Sequence, residues 1–207
     1  MRVRQLLLGP MENFTYLIID EKEGVGAIID PGWEEERLID AIKGEGIRPL
    51  FILLTHSHFD HAQLAPSLSE RFGIPIYLHA SETRWFGNTP KPTLKLEGGE
   101  RLVLGETEIT VLHTPGHSPG SVCYLSNGVL FSGDTLFVDA IGRTDLEGGD
   151  AQMMYVSLSK LKELPENTIV YPGHNYGAEP ASTIGEQKRR NIYLSPMTPG
   201  EFMRLVC

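Results

Sequence analysis

The sequence predicts an α+β protein in which two β-sheets pack face to face and helices cover their outer sides. Short apolar runs bounded by turn residues recur in both halves of the chain, which indicates two sets of strands. Stretches with apolar residues at helical spacing lie before, between and after these runs. Because a sheet and a helix must each bury an apolar side, this order favours two central sheets with helices outside.

The first half of the chain alternates predicted strands with predicted helices. The strands are β-branched or apolar runs that end at turn residues, namely residues 3–8, 14–19, 25–29, 50–54 and 75–79. The helices have apolar residues at helical spacing, Leu38, Ile39 and Ile42 in the first and Leu64, Leu68 and Phe72 in the second. Gly44 and Gly46 mark the end of the first helix, and Gly73 marks the end of the second.

The second half is richer in strands, which indicates the second sheet. Its predicted strands are residues 101–104, 109–112, 122–125, 129–131 and 168–171. Asp150 is a suitable N-cap for a helix through Met154, Leu158 and Leu161 that stops before Pro165. A closing helix at about residues 185–194 is polar enough to be expected on the surface.

Length, composition and charge favour one soluble domain. A chain of 207 residues suits one large domain better than two average ones, so a single domain over residues 1–207 is expected. Hydrophobic residues make up 41% and charged residues 22%, a balance typical of a chain that folds throughout. The formal net charge of -9 repels phosphate backbones and anionic lipids, so neither nucleic acid nor a membrane is an expected partner. The oligomeric state stays open, with a homo-oligomer among the alternatives.

Cysteine usage and apolar runs favour a cytoplasmic protein. Cys123 and Cys207 lie far apart and indicate no disulfide framework. The apolar run at residues 6–8 stops at Gly9 and is too short for a signal peptide. The run at residues 50–54 is far below the roughly 20 residues that a membrane-spanning helix needs.

Four potential metal ligands lie within six residues, directly after the predicted strand at 50–54. His56 and His58 are two positions apart, so a short turn can aim both imidazoles at one point. Asp60 and His61 follow at the start of the next helix and can aim at a second point. A polar loop with incidental histidines is the alternative, but solvation does not require such a density of ligands.

Three more candidate ligands share a sequence context with one another. His117, Asp134 and His174 each lie just beyond a predicted strand, and each directly follows a glycine. Small neighbours let the backbone and a ligand approach an ion closely. Taken singly, each of these residues could be an ordinary turn residue, whereas together with the first four they indicate a metal site.

These motifs resemble those of the metallo-β-lactamase superfamily. Its signature Thr-His-x-His-x-Asp-His is matched by residues 55–61, and its later His, Asp and His are matched by His117, Asp134 and His174. Gly133-Asp134-Thr135-Leu136-Phe137, Gly142-Arg143-Thr144-Asp145 and Tyr176 are similar to the glyoxalase II (hydroxyacylglutathione hydrolase) branch. The resemblance covers nearly the whole chain and implies a four-layer αββα sandwich.

The resemblance also implies a ligand set for two divalent ions. His56, His58 and His117 would hold one ion, Asp60, His61 and His174 would hold the other, and Asp134 would bridge them. Imidazole and carboxylate ligands suit zinc, iron or manganese, and zinc is the expected metal. Asp30 lies in an Asp-Pro-Gly turn similar to one that supports the metal loop in this family.

Such a site predicts a hydrolase, with Asp60 and Asp134 as catalytic residues. Two cations that share one water would lower its pKa to roughly 7 and supply a bridging hydroxide. A thiolate leaving group, with a parent pKa near 8.5, departs without a dedicated proton donor. The expected substrate is therefore a small thioester, such as S-lactoylglutathione or another acylthiol.

The sequence departs from glyoxalase II after His174. Only about thirty residues follow, so the complete helical domain that contributes to glutathione binding in that branch is not expected here. Lys188, Arg189 and Arg190 form a short basic patch, which is more often a solvated helix face. Arg143 and Tyr176 match positions near the thiol substrate and are candidate substrate contacts, with loop anchoring and packing as the alternatives.

Three other functions compete with thioester hydrolysis. A persulfide dioxygenase, which shares the fold, would use one iron held by His56, His117 and Asp134, a two-histidine, one-carboxylate set suited to oxygen chemistry. A β-lactamase fits less well, because no secretion signal is visible and Asp134 stands where lactamases typically offer another ligand. A metal-free binding module conflicts with the intact ligand set.

Overall fold

Two six-stranded sheets form the centre of the protein in a computed structural model that describes residues 1–82 and 93–206. The first sheet contains, in spatial order, β1 (Arg2–Leu8), β2 (Asn13–Asp20), β3 (Val25–Ile29), β4 (Arg48–Leu53), β5 (Ile76–His79) and β6 (Thr93–Leu96). The second contains, in chain order, β7 (Arg101–Leu104), β8 (Thr107–His113), β9 (Val122–Ser126), β10 (Val129–Gly133), β11 (Ile169–Pro172) and β12 (Ser182–Thr183), and its spatial order is β12-β11-β10-β9-β8-β7.

Helices lie on the outer side of each sheet. They are α1 (Glu35–Glu45), α2 (Phe59–Ala62), α3 (Ala65–Phe72), α4 (Ala151–Lys162), α5 (Ile184–Arg190) and α6 (Pro199–Val206), with 3-10 turns at Ala80–Glu82 and Ile192–Leu194. Asp150 caps α4 as predicted, because its carboxylate accepts hydrogen bonds from the backbone N–H groups of Gln152 and Met153. None of the helices in residues 1–82 and 93–206 is long and apolar enough to cross a membrane.

The alternation of side chains along the strands produces the four layers. In β2, Phe14, Tyr16 and Ile18 belong to the core between the two sheets. Leu17 and Ile19 point the other way, into the core between the first sheet and the helices α1 and α3. A third core joins the second sheet to α4, α5 and α6 and includes Cys123, Leu130, Met154, Val170 and Phe202. The predicted αββα sandwich is therefore confirmed.

The strand directions bring particular ends to one edge of the sandwich. Strands β3, β4, β5 and β6 are parallel, while β2 runs antiparallel to β3, so β2 begins where β4 ends. In the second sheet β10 and β11 are parallel and both run antiparallel to their other neighbours. Loops that follow β4, β8, β10 and β11 can therefore meet at one place.

The C-terminal part of the chain differs from the prediction. The expected surface helix at 185–194 is α5 followed by a 3-10 turn, and Ile184, Gln187 and Leu194 on these segments are buried. The helix is shorter than predicted because it ends at Asn191, whose side chain accepts a hydrogen bond from the next turn. It does not close the chain, since α6 follows and inserts Phe202 into the third core.

Two short strands were missed from the sequence, and one of the two cysteines can be placed in the fold. The short strands β6 and β12 were not predicted, because they form by pairing with β5 and β11 rather than from a clear local pattern. Cys123 is fully buried on β9, between the side chain of Thr114 and the carbonyl oxygen of Ser132, and burial raises the pKa of its thiol to about 11. Cys207 lies outside the described residues.

Candidate metal centre

All seven predicted ligands lie where loops from the two sheets meet. The loops follow β4, β8, β10 and β11, as the strand directions require. Backbone hydrogen bonds join the two sheets here: Val122 N–H donates to the carbonyl oxygen of Thr55, and Phe14 N–H donates to that of Gly173. The edge of the sandwich therefore holds the candidate ligands in a fixed arrangement.

The first cluster contains His56, His58 and His117. One ring nitrogen from each lies within 4.8 Å of the others, and all three side chains are buried or half-buried. The Nε2 atom of His117 is 2.9 Å from the Nδ1 atom of His58. The sequence predicted that these residues would converge, and the structure brings them together.

The second cluster contains Asp60, His61 and His174. The Nε2 atoms of the two histidines are 3.1 Å apart. The Oδ2 atom of Asp60 lies 3.4 Å from each of these nitrogens. All three side chains are buried.

Asp134 lies between the two clusters. Its Oδ2 atom is 3.5 Å from Nε2 of His117 in the first cluster and 3.4 Å from Nε2 of His174 in the second. Its Oδ1 atom is 3.3 Å from Nε2 of His61. The carboxylate can therefore reach an ion in either cluster.

Hydrogen bonds on the far side of the rings determine which nitrogen faces the site. The Nδ1 atoms of His117 and His174 donate to the backbone carbonyl oxygens of Arg143 and Met11, each at 2.8 Å. Nδ1 of His61 donates to Oδ2 of Asp30 at 3.0 Å. When each of these rings is neutral, its proton is on Nδ1 and the lone pair of Nε2 is directed into the site.

His56 follows the same rule through Thr55. The Thr55 hydroxyl donates to Oδ2 of Asp30 at 2.6 Å and therefore accepts from Nδ1 of His56 at 3.0 Å. Asp30 is also a potential ligand beside His56 and His61. Its two oxygens, however, are occupied by the backbone and hydroxyl of Thr55 and by His61, so it supports the ligands from behind.

The charges in the site favour a bound cation. Burial lowers the pKa values of His56 and His58, which keeps both imidazoles neutral, as ligands must be. Burial also acts to lower the pKa of His61, but Asp134, Asp30 and Asp60 together outweigh it and raise that pKa to about 9. Burial acts to raise the pKa of Asp134, yet His61 and His174 hold it well below its usual range.

Two buried atoms test whether the residues fit a metal ion. Nε2 of His56 and Oδ1 of Asp134 are buried and make no hydrogen bond. A buried polar atom without a partner costs about 1–3 kcal/mol. The first atom belongs to the first cluster and the second lies between the two clusters; both are electron-pair donors, so cations beside them would satisfy them. The donor set of imidazoles and carboxylates fits zinc, iron or manganese.

Gly173 shows how tightly the site is built. A Cβ atom at this position would lie 2.3 Å from Oδ1 of Asp134 and 2.9 Å from Cε1 of His61. A side chain of any kind would therefore displace one of these two groups. This agrees with the expectation that glycine lets the ligands approach one another closely.

Two residues of the site carry no motif and were not found from the sequence. Asn13, at the start of β2, donates from Nδ2 to Oδ2 of Asp60 at 2.9 Å and accepts from the Trp33 indole at 2.8 Å. Glu82 is buried behind the first cluster and accepts hydrogen bonds from Ser57 and Gly120. Asn13 is the first residue of β2, which begins at the edge of the sheet where β4 ends. Its place beside Asp60 can therefore be recognised only when the strand order of the sheet is known.

A cavity of about 430 Å³ opens onto the two clusters. His58, Asp60, His117, Asp134 and His174 form its floor. The predicted substrate contacts Arg143 and Tyr176 both line it. The Tyr176 ring stacks on His174 at 4.6 Å between centroids, while the Arg143 guanidinium makes two hydrogen bonds to Asp145.

Comparison with known proteins establishes the class of protein. The family model of the metallo-β-lactamase superfamily matches residues 8–174. The chain belongs to this superfamily, and this membership supports a metal-dependent hydrolase.

Individual relatives carry several hydrolase names. A probable metallo-hydrolase, YqgX, of Bacillus subtilis is 37% identical and covers 94% of this chain and 98% of its own length. The probable polyketide biosynthesis zinc-dependent hydrolase BaeB of Bacillus velezensis is 33% identical, with 87% and 81% covered. Hydroxyacylglutathione hydrolase of Nitrosomonas eutropha is 39% identical over 78% of this chain, and the match spans 61% of that protein.

Solved structures show the same architecture. ETHE1 from Myxococcus xanthus superposes with a TM-score of 0.90 at 32% identity, covering 100% of this chain and 90% of its own. The B3 metallo-β-lactamase BLEG-1 has a TM-score of 0.86 at 40% identity, with 94% and 100% covered. TTHA1623, in a di-iron-bound form, has a TM-score of 0.81 at 38% identity, with 92% and 100% covered.

Proposed function

We propose that the protein hydrolyses a small thioester with the help of two divalent ions. The observation that carries the proposal is the position of Asp134, within 3.5 Å of ring nitrogens from both histidine clusters. His56, His58 and His117 would hold one ion, and Asp60, His61 and His174 the other. Zinc is the proposed metal, with iron or manganese as alternatives.

The bound ions would lower the pKa of a shared water to roughly 7 and polarise the thioester carbonyl. Side chains of the protein would orient the water molecule. Asp60 keeps one oxygen near the second cluster while Asn13 donates to it, so its carboxylate is fixed to orient a water molecule. Asp134 lies within 3.5 Å of ring nitrogens of both clusters and would be a ligand that the two ions share.

A thioester is the acyl compound that requires least from these side chains. A thiolate leaves with a parent pKa near 8.5, so expulsion of the leaving group needs no dedicated proton donor. The glyoxalase II branch, to which the Gly142–Asp145 and Tyr176 motifs are similar, supports the same reaction. Arg143 and Tyr176 are the proposed substrate contacts, since both line the cavity.

Oxidation of a persulfide at one iron ion is the second candidate. His56, His117 and Asp134 form a two-histidine, one-carboxylate set, and Nε2 of His56 and Oδ1 of Asp134 are both free to bind. This reaction would use one ion per chain and would consume dioxygen. The two functions therefore differ in stoichiometry and in the second substrate.

Metal analysis with parallel assays distinguishes the two. Protein purified without added metal should contain two ions per chain and should hydrolyse a panel of acylthiols without oxygen uptake. A single iron per chain together with oxygen consumption on glutathione persulfide would replace the hydrolase with the dioxygenase. Two ions with no turnover of any thioester would exclude the proposed reaction.

A further inference from the structure

The walls of the cavity differ in chemistry from its floor. Above the candidate ligands, the surface is formed mainly by apolar side chains, namely Met11, Phe59, Phe137, Ile141 and Leu146. Phe59 is 60% exposed and Met11 is 38% exposed, so apolar surface faces solvent at the mouth. Exposed apolar area of this kind is covered when a ligand of matching chemistry binds.

In the described part of the chain around this cavity, the basic side chains that could bind a carboxylate of a ligand already form ion pairs within the protein. Among the described residues that line the cavity, Arg143 carries the one lysine or arginine side chain. Its guanidinium donates to both oxygens of Asp145, at 2.9 and 2.8 Å. The basic patch at residues 188–190 is likewise engaged. Lys188 and Arg189 contact Glu166, and Arg190 contacts Asp139.

We propose that this site prefers an uncharged thioester with an apolar group next to the sulfur, and that it binds glutathione carriers more weakly. The inference rests on the proposed thioester hydrolysis and names its substrate class. Glutathione carries two carboxylates and one ammonium group, and these would have to lie against apolar walls or compete with Asp145 for Arg143. A neutral thiol arm avoids both costs.

Binding of two non-hydrolysable thioethers tests the preference directly. S-hexyl-N-acetylcysteamine and S-hexylglutathione share the alkyl group and differ in the charge of the carrier. Titration calorimetry on the zinc-loaded protein should give at least tenfold tighter binding of the neutral compound. Shortening its alkyl chain from hexyl to butyl should weaken binding by up to about fourfold per methylene. Equal or tighter binding of S-hexylglutathione would overturn the proposal.

Variants of the apolar wall and of the Arg143–Asp145 ion pair test which of them causes the preference for a neutral ligand. Ile141→Ala should weaken binding of the neutral thioether, and Leu146→Arg should reduce or invert the preference by adding a cation. Asp145→Asn should release Arg143 and strengthen S-hexylglutathione binding by two- to fivefold, a size typical of exposed ion pairs. Val103→Ala is the matched control, because Val103 is 66% exposed on β7 and does not line the cavity. Unchanged preference in Leu146→Arg would contradict the role of the wall.

Turnover is measured separately from binding, so the two proposals fail in different ways. If no thioester is hydrolysed but the neutral thioether still binds more tightly, the proposed reaction is wrong and the preference of the cavity stands. If thioesters are hydrolysed but the glutathione compound binds as tightly, the reaction stands and the inference on substrate class is wrong.

Discussion

The carboxylate of Glu82 accepts a hydrogen bond from the backbone N–H of Gly120, at 2.7 Å between oxygen and nitrogen. Its other oxygen accepts from the backbone and the hydroxyl of Ser57. Ser57 lies between His56 and His58, and Gly120 lies three residues after His117. Glu82 therefore connects the two turns that carry the first cluster, although it touches no candidate ligand nitrogen itself.

Replacing Glu82 should weaken the first metal site more than the fold. Glu82→Gln keeps the shape but supplies an N–H group where one of the three donors needs an acceptor. We expect metal affinity to fall by about 10–100-fold, as for other supports of metal ligands. Chelator competition measures this loss, and thermal unfolding measured in parallel shows whether the fold itself is affected.

Glu147→Gln is the matched control for this variant. Glu82 and Glu147 both line a second cavity, of about 380 Å³, beside the first cluster, but Glu147 is exposed and accepts none of these hydrogen bonds. It should retain both ions. Full retention of metal in Glu82→Gln as well would remove the positioning role.

Substituting a histidine inside the site should have a different effect from substituting one outside it. His58→Ala removes one ring of the first cluster and should lose one ion and at least about 100-fold in thioester turnover. His113→Gln should keep both, because the His113 ring donates to the Pro119 carbonyl oxygen and stacks on the ring of His79, neither of which is a candidate ligand, and glutamine can still donate. Two ions and full turnover in His58→Ala would show that the site assignment is wrong.

Adding one methyl group at Gly173 should disrupt the centre. In Gly173→Ala the new Cβ would lie 2.3 Å from Oδ1 of Asp134, so the carboxylate or the loop must move. Reaction rates depend strongly on displacements of about 1 Å, and we expect a loss of about 100-fold in turnover. Gly44→Ala is the control, since nothing lies within 4 Å of its Cβ position in α1.

The control variant Gly44→Ala should itself make the protein slightly more stable. Alanine is favoured over glycine in a helix by about 0.5–1 kcal/mol, so Gly44→Ala should raise the melting temperature by a few degrees at most. Turnover should be unchanged. Normal turnover in Gly173→Ala would contradict the tight packing at the centre.

Metal binding should depend on pH through His61. Its carboxylate neighbours raise its pKa to about 9, so the ring is protonated at neutral pH in protein stripped of metal. An ion must displace that proton, and apparent affinity should rise by up to about tenfold per pH unit from pH 7 to 9. Calorimetry in buffers of different ionisation enthalpy would count the released proton. No proton release at pH 7 would contradict the prediction.

The stability of metal-stripped protein should change in the opposite direction over the same range. Because the folded-state pKa of His61 lies above its ordinary value of 6.5, the stabilisation is fully present below pH 6.5 and is lost as pH rises towards 9. The melting temperature of stripped protein should fall between these values. Metal-loaded protein should not show this fall, since an ion on Nε2 of His61 would take the place of the second proton and keep the ring neutral.

Most of the fold follows from local patterns. The alternation in β2 and the helical spacing of Leu38 and Ile42 each identify an element and its buried side, because one face of each must be apolar. Asp150 identifies the start of α4 for a similarly local reason. The short strands β6 and β12 were missed, since they form by pairing with strands elsewhere in the chain. The helix α6 was also missed, although Thr198 and Glu201 give it a local start signal by capping its first turn reciprocally.

The amino-acid sequence by itself determined which residues can form the centre and which fold holds them, because ligand types, strand periods and capping residues are local properties. Only the tertiary structure decided that Asn13 and Glu82 support the ligands and that Arg143 pairs with Asp145. It also decided that the basic patch at 188–190 forms ion pairs with Glu166 and Asp139. These relationships depend on distances between segments far apart in the chain, and those distances are set by how the two sheets pack.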